Sequence, residues 1–384
     1  MQNQSDDYFC VAPWVHVCQN VGGRLKPCCR FFDPEEFDRE SRPTINEYFS
    51  GEEMNNFRKK ILNKEYVKGC SKCYNEDKTG KISLRANLNE QFKDVVDLTK
   101  PKIHYLEIGT SNACNFKCIT CASNYSTSWH EDDIELRQRK FFREEPKKNK
   151  FVITDNEYLN VDLSNLTRLK LLGGEPFMEP RNLQLFERLD ALGLLENLTL
   201  ELITNASILP TDAWLVYLKK IKNIRLSISL DGIESVAEFV RYGTDWKKLS
   251  KNTLWWNQFC KEYNHHMQFH YVIHAMNCFD IGNTLDWLNE NHPDILLNFD
   301  PLFGPKYLNI SYLPDWWKEE IANSMSYIKR TSNKNYALSF LNKNTYDKKV
   351  CKDMVTYVEN LEEMRNHKIP SLYKLYLKKL KDDL

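Results

Sequence analysis

The chain has 384 residues, 42% of them hydrophobic, and its 53 Lys plus Arg are matched by 53 Asp plus Glu, so the formal net charge is zero. That length can bury one large core and a smaller one, and the balanced charge argues against a protein that binds nucleic acid by neutralising phosphates. No apolar run is long enough to span a bilayer, and Met1–Cys10 lacks the apolar stretch of a secretion signal, so a cytoplasmic chain with no membrane partner is expected.

Residues 1–100 are rich in Cys, Gly and turn formers, and Gly23-Arg24 reads as a hairpin turn. From residue 101 the pattern changes. Strand-like segments at 102–109, 168–173, 197–204, 224–230, 267–274 and 295–300 alternate with helical ones. Trp246, Leu249, Thr253, Trp256 and Cys260 share one helical face, and Ile281, Leu285 and Leu288 share another. Strands that each lead into a helix predict an α/β unit with a parallel sheet. The basic stretch Arg137–Lys150 reads as a solvated helix end and loop. Residues 311–384 read as a helical extension opening at Pro314-Asp315. The expected organisation is 1–100, 101–310 and 311–384.

Nine of the twelve cysteines fall within the first 121 residues. Thiols of a cytosolic protein stay reduced, so grouped cysteines point to metal or cluster ligation rather than disulfides. Cys114, Cys118 and Cys121 form C-x3-C-x2-C just after the first of the six strands. Three thiolates at that spacing can hold three irons of a [4Fe-4S] cube and leave the fourth open. A structural zinc site would want a fourth ligand. Polar or Gly-rich motifs also follow successive strands: Gly173-Gly174-Glu175, Thr204-Asn205, Ser229 with Asp231-Gly232, and Arg241-Tyr242-Gly243. In a barrel of parallel strands these positions share the C-terminal rim, where barrel enzymes build their sites.

With these motifs, residues of roughly 100–310 resemble the radical S-adenosylmethionine (SAM) superfamily. The resemblance implies a partial (β/α)6 TIM-like barrel and a [4Fe-4S] cluster on Cys114, Cys118 and Cys121. It implies SAM held by Gly173, Gly174 and Glu175 at its amino group, by Ser229 and Asp231 at the ribose, and by Arg241 at the carboxylate or ribose. Asn205 joins this set by its place on the rim. No Gly-rich adenine pattern follows the last strand; Phe303-Gly304-Pro305 is the nearest.

A second cysteine group lies ahead of the barrel. Cys10 is followed by twelve residues, Gly23, four more residues and Cys28, and later by Cys70-Ser71-Lys72-Cys73. By spacing alone these four could close a [4Fe-4S] cluster or a zinc site. The Cys–Gly–x4–Cys pattern, the stretch Ile45–Phe57 and the closing Cys70/Cys73 pair resemble the twitch and SPASM modules of radical SAM enzymes. That likeness implies one auxiliary [4Fe-4S] cluster on Cys10, Cys28, Cys70 and Cys73. In most relatives the module follows the barrel, whereas here it precedes it. Cys18 and Cys29 are spare, and Cys29 competes with Cys28.

Of the remaining candidates, Cys260 and Cys351 sit on apolar helical faces and read as core. His274, near the rim, is the candidate for a catalytic base or a substrate contact, and Cys278 for a hydrogen-atom donor; an ordinary loop thiol is the competing reading of Cys278. His270 reads as a core histidine. Glu107 points into the barrel from the first strand, or else faces solvent or takes a Lys partner. The expected activity is oxidative modification of a peptide or small molecule, started by a 5′-deoxyadenosyl radical, with the auxiliary cluster accepting an electron. A low-potential donor such as flavodoxin or ferredoxin would supply the first one. Two alternatives stand beside it: an auxiliary cluster that anchors substrate, and a zinc-binding scaffold without catalysis.

Overall fold

A computed structural model describes residues 8–32, 43–78, 80, 82–141, 160–326, 331–332, 334–342 and 345–384. The later part of the basic stretch Arg137–Lys150 lies outside them. The strands in chain order are β1 (His16–Gln19), β2 (Leu25–Lys26), β3 (Tyr105–Gly109), β4 (Lys117–Cys118), β5 (Arg168–Leu172), β6 (Thr199–Thr204), β7 (Asn223–Ser229), β8 (Arg241–Tyr242), β9 (His266–Ile273), β10 (Leu296–Pro301) and β11 (Thr331–Ser332). All six expected strands are present, with ends shifted by at most three residues. The fold class is the expected α/β one, with mostly parallel strand pairing.

Chain contacts divide the molecule into two compact units. The first comprises Met1–Ser111, Phe151–Glu201 and Thr211–Asn223. Within it the strands run in the order β2-β1-β3-β5. The β1/β2 pair is the expected hairpin: Gly23 takes φ +77°, and Asn20 N–H donates to the Arg24 carbonyl at 3.0 Å. Less expected is that β1 joins the sheet, parallel to β3, with His16 beside Tyr105 and Cys18 beside Glu107. Tyr105 and Glu107 in turn lie beside Arg168 and Lys170 of β5. Because side chains alternate along a strand, one face carries His16, Cys18, Tyr105, Glu107, Arg168 and Lys170, and the other buries Val17, Leu106, Leu169 and Leu171. Helix Ile45–Ser50 starts in a capping box between Thr44 and Glu47, and helix Leu84–Phe92 starts on a Ser83 cap. Ile61, Leu88 and Phe92 pack with Val11, Trp14 and Val15, and Cys10 and Cys28 lie against that cluster.

The second unit comprises Asn112–Lys150, Leu202–Pro210 and Ile224–Leu384. Its parallel strands run in the order β7-β9-β10-β11. Ile224, Leu226 and Ile228 alternate into the core, and helix Trp246–Glu262 buries Leu249, Thr253, Trp256 and Cys260, the face read from the sequence. A short antiparallel ribbon pairs Lys117 with Tyr242 and Cys118 with Arg241. Helices Asp315–Ser326, Lys348–Met364 and Ser371–Asp383 form the expected helical extension, and Cys351 is buried on the second of them. Among the described residues, no helix is long and apolar enough to cross a membrane.

Candidate functional site

In the second unit, Cys114, Phe116 and Cys118 form a buried group with Cys121 packed against it. Side chains brace the carbonyls of this loop. Ser128 Oγ donates to Cys114 O at 2.7 Å, Ser126 Oγ to Phe116 O at 2.6 Å, and Trp129 Nε1 to Cys118 O at 2.9 Å. Tyr357 of the helical extension donates its hydroxyl to Ile119 O at 2.7 Å. A loop whose carbonyls are spoken for holds its three thiols in a fixed arrangement. Gly243, at φ +110°, passes so close that a Cβ would stand 2.9 Å from Asn115 O and from the Phe116 ring, so only glycine fits there.

Several expected cofactor residues gather on this loop. Asn205 Nδ2 lies 3.9 Å from Cys114 Sγ and 3.1 Å from Asn115 Oδ1. Asp231, 4% exposed, accepts from Arg241 Nη1 at 2.7 Å and from Val272 N–H at 2.8 Å. Arg241 faces Cys118 across the ribbon. Burial raises the Cys118 thiol pKa, while Arg241 and Arg365 oppose the rise. Burial works against charge on Arg241, but Cys118, Asp231 and Cys121 outweigh it and raise its pKa. Arg241 Nε and Arg365 Nη2 are both buried with no hydrogen-bond acceptor. Unspent guanidinium donors whose charge is felt at Cys118 suit a group that brings negative charge, as a thiolate-ligated cluster does. Ser229 closes β7 half-buried, paired with His270 on β9.

His274 and Cys278 are enclosed. His274 is 1% exposed, its Nδ1 accepts from Met276 N–H at 3.1 Å, and burial pushes its pKa down to about 4. Cys278 is fully buried, donates to Ala275 O at 3.4 Å, and is pushed up to about 12 by burial. His270 is paired with Asp300 at 2.9 Å.

In the first unit, the Gly-Gly-Glu motif makes a tight turn. Gly173 has φ +148°, where a Cβ would stand 2.9 Å from Ser111 O, and Gly174 N–H donates to that same carbonyl at 3.2 Å. Glu175 is 1% exposed.

The same unit brings the four N-terminal cysteines together. Cys10, Cys28, Cys70 and Cys73 line one cavity with Arg30 and Arg85, of about 350 Å³ including its open mouth. Cys70 ends a short turn and Cys73 lies on helix Ser71–Lys78. Gly69 lets Phe32 N–H reach its carbonyl at 3.0 Å; a Cβ there would meet the Phe31 ring at 2.6 Å. Arg30 is held by Glu76 at 2.5 Å and Arg85 by Asp77 at 2.7 Å. Burial pushes the Cys10 thiol up to about 12, and Cys70 and Cys73 add to it; Cys70 rises to about 11, again chiefly by burial. Such thiols ionise when a cation compensates them, which is what metal ligation supplies. Among the described residues, no three Cys, His, Asp or Glu side chains converge on a point as a single ion would need. The cysteines surround a space.

Cys29 turns elsewhere. It hydrogen-bonds to Glu107, whose other neighbours are Cys18 Sγ at 3.7 Å, Tyr105 Oη at 2.7 Å, His16 Nε2 at 3.5 Å and Lys170 Nζ at 4.0 Å. Burial alone would raise the Glu107 carboxyl; His16, Lys170 and hydrogen bonds from Tyr105 and Cys29 outweigh it and hold the pKa low. Burial drives His16 itself down to about 4, so near neutrality the cation facing Glu107 is Lys170. Of the readings open for Glu107, the Lys partner is present, and the solvent one fails because the side chain is buried. The sequence does not mark the cluster around it, because the strand His16–Gln19 is short and buried throughout and so shows no alternation.

No family model matches the chain. A stretch of 144 residues is 26% identical to the GTP 3′,8-cyclase of Nautilia profundicola, covering 36% of this chain and 39% of that one. The chain therefore spans about two fifths of the curated relative it matches. Among solved structures, it is similar to anSMEcpe with bound AdoMet and a peptide, at TM-score 0.38 and 18% identity over 57% of this chain and 60% of that one. It is also similar to Streptococcus suis SuiB bound to the precursor peptide SuiA, at TM-score 0.37 and 15% identity over 80% and 63%.

Proposed function

We propose that this chain is a radical SAM enzyme. What carries the reading is the C-x3-C-x2-C loop: its three thiols are gathered, its carbonyls are braced, and two buried guanidiniums stand beside it with donors unspent. Cys114, Cys118 and Cys121 would hold a [4Fe-4S] cluster, which with bound SAM supplies a 5′-deoxyadenosyl radical for hydrogen abstraction. Gly173, Gly174, Glu175, Asn205, Ser229, Asp231 and Arg241 are the proposed SAM contacts. Within this set, Asp231 holds Arg241 in place, and Arg241 brings positive charge to Cys118.

Cys10, Cys28, Cys70 and Cys73 would hold the auxiliary [4Fe-4S] cluster. Four protein thiols around one cavity leave no iron open for substrate, which favours an electron-accepting role and an oxidised product. The substrate class, a peptide or small molecule, and a low-potential donor such as flavodoxin or ferredoxin belong to the same proposal. So does the division into an auxiliary module (1–100), a core (101–310) and a helical extension (311–384).

The test separates the two cysteine groups. Dithionite-reduced protein carrying Cys70→Ala and Cys73→Ala should still cleave SAM to 5′-deoxyadenosine while losing turnover of its substrate. A folded double variant that keeps the first cluster yet cannot cleave SAM would place the auxiliary cluster on the electron input side instead.

A further inference from the structure

We propose that Arg365, just past helix Lys348–Met364, is a positioning residue for the three-cysteine loop and that its positive charge raises the reduction potential of the cluster held there. The inference rests on reading that loop as a cluster site. It concerns a segment outside the barrel strands and the motifs that surround them.

Arg365 is a buried charge that pairs with a carboxylate and still keeps a donor unspent. Its side chain is 4% exposed, and its Nε lies 2.9 Å from Asp132 Oδ2. The other oxygen of Asp132 is taken by Lys117 Nζ at 2.6 Å, and Lys117 directly precedes Cys118. One carboxylate therefore serves two cations. The guanidinium also lies against two aromatic rings, 4.6 Å from the centre of Trp129 and 4.7 Å from that of Tyr242. Both rings belong to the cysteine loop's own supports: Trp129 donates to Cys118 O at 2.9 Å, and Tyr242 pairs with Lys117 in the ribbon. Arg365 thus touches three groups that fix Cys118, while its Nη2 stays buried without an acceptor. A purely structural pin would spend its donors. A buried cation that leaves one unspent near Cys118 stabilises the added electron of a reduced cluster.

The same helix makes a second, uncharged contact, Tyr357 Oη to Ile119 O at 2.7 Å, which provides the control. Reconstituted wild type, Arg365→Gln, Arg365→Lys and Tyr357→Phe are compared by EPR-monitored redox titration. The relevant signal is the one missing from the Cys114→Ala, Cys118→Ala, Cys121→Ala variant. Arg365→Gln should lower the midpoint so that the reduced-to-oxidised ratio at a fixed potential falls about tenfold, or about 59 mV for one electron. Arg365→Lys should recover most of that ratio, and Tyr357→Phe should keep the wild-type midpoint while losing iron faster to a chelator. An unchanged midpoint in Arg365→Gln, or a Lys variant no better than Gln, overturns the proposal. If the Gln variant takes up no iron, the Lys variant decides: wild-type midpoint and iron content support the charge role, and their loss overturns it. Wild-type protein without iron on these cysteines would instead refute the cluster reading, and the iron assay on wild type, made first, tells the two failures apart.

Discussion

Cys28 and Cys29 are adjacent in the chain and serve different surroundings: Cys28 lines the four-thiol cavity, and Cys29 hydrogen-bonds to Glu107. This separation gives a direct expectation for iron content. With one three-thiol and one four-thiol group, the reconstituted chain should bind about eight iron atoms. Cys28→Ala should lower that to about four, and Cys29→Ala should leave it unchanged. Equal losses in the two variants would return Cys29 to the ligand set.

Asp231 is the point where the SAM reading meets the packing. Its carboxylate holds Arg241 at 2.7 Å, with both side chains largely buried. Removing one partner of such a pair strands the other charge and costs about 3–5 kcal/mol. Asp231→Ala should therefore lower thermal stability markedly as well as weaken SAM. Asp231→Asn, which keeps an acceptor for Val272 N–H, is the better probe of binding. Loss of a charge-assisted hydrogen bond, about 1.5–3 kcal/mol, predicts SAM affinity weaker by tens of fold. Unchanged affinity in a folded Asn variant would take Asp231 out of the SAM site.

The Glu107 cluster predicts a change in thiol reactivity. Burial first, then the charge and hydrogen bond of Glu107, together raise the Cys29 thiol to about 12. Glu107→Gln removes that carboxylate, so more Cys29 is thiolate at a given pH and alkylation should speed up. Mass spectrometry of iodoacetamide-treated protein reads the rate. No acceleration would mean that Glu107 does not control this thiol.

Buried histidines give the chain a predicted acid sensitivity. His16, His274 and His292 are each lowered by burial to about 4. Unfolded, each takes a proton near pH 6.5, so between about pH 6.5 and 4 the unfolded state binds more protons than the folded one. Their contribution to stability is complete above pH 6.5 and is lost as pH falls toward 4, at up to about 1.4 kcal/mol per pH unit for each histidine. His292 is held by Thr253 at 3.0 Å and Asn257 at 3.3 Å. Denaturant titrations across that window should show a shallower pH slope in His292→Asn; an unaltered slope would show that His292 is not titrating on unfolding.

Much of this architecture is written locally. The alternation of Ile224, Leu226 and Ile228, or the spacing of Cys114, Cys118 and Cys121, needs no knowledge of distant residues. What stayed hidden depends on partners far along the chain. β1 is four residues long and buried throughout, so no alternation marks it, and its parallel partner β3 lies about 90 residues on. The brace from Tyr357 to Ile119 spans 238 residues and exists only because helix Lys348–Met364 packs against the loop. Arg365 and Tyr357 look like ordinary residues of an amphipathic helical segment until that packing is known. Cys28 and Cys29 could not be ranked by spacing, since adjacent residues share it; the backbone after the hairpin turns them apart.

The most direct test of the account is reductive cleavage of SAM, because it needs no knowledge of the substrate. Anaerobically reconstituted protein, reduced with dithionite and given SAM, should release 5′-deoxyadenosine, measured by chromatography and mass. Replacing Cys114, Cys118 and Cys121 together by Ala should abolish that product and remove about half of the iron. A colourless wild type that binds only zinc and yields no 5′-deoxyadenosine, or a triple variant that still yields it, would contradict the assignment.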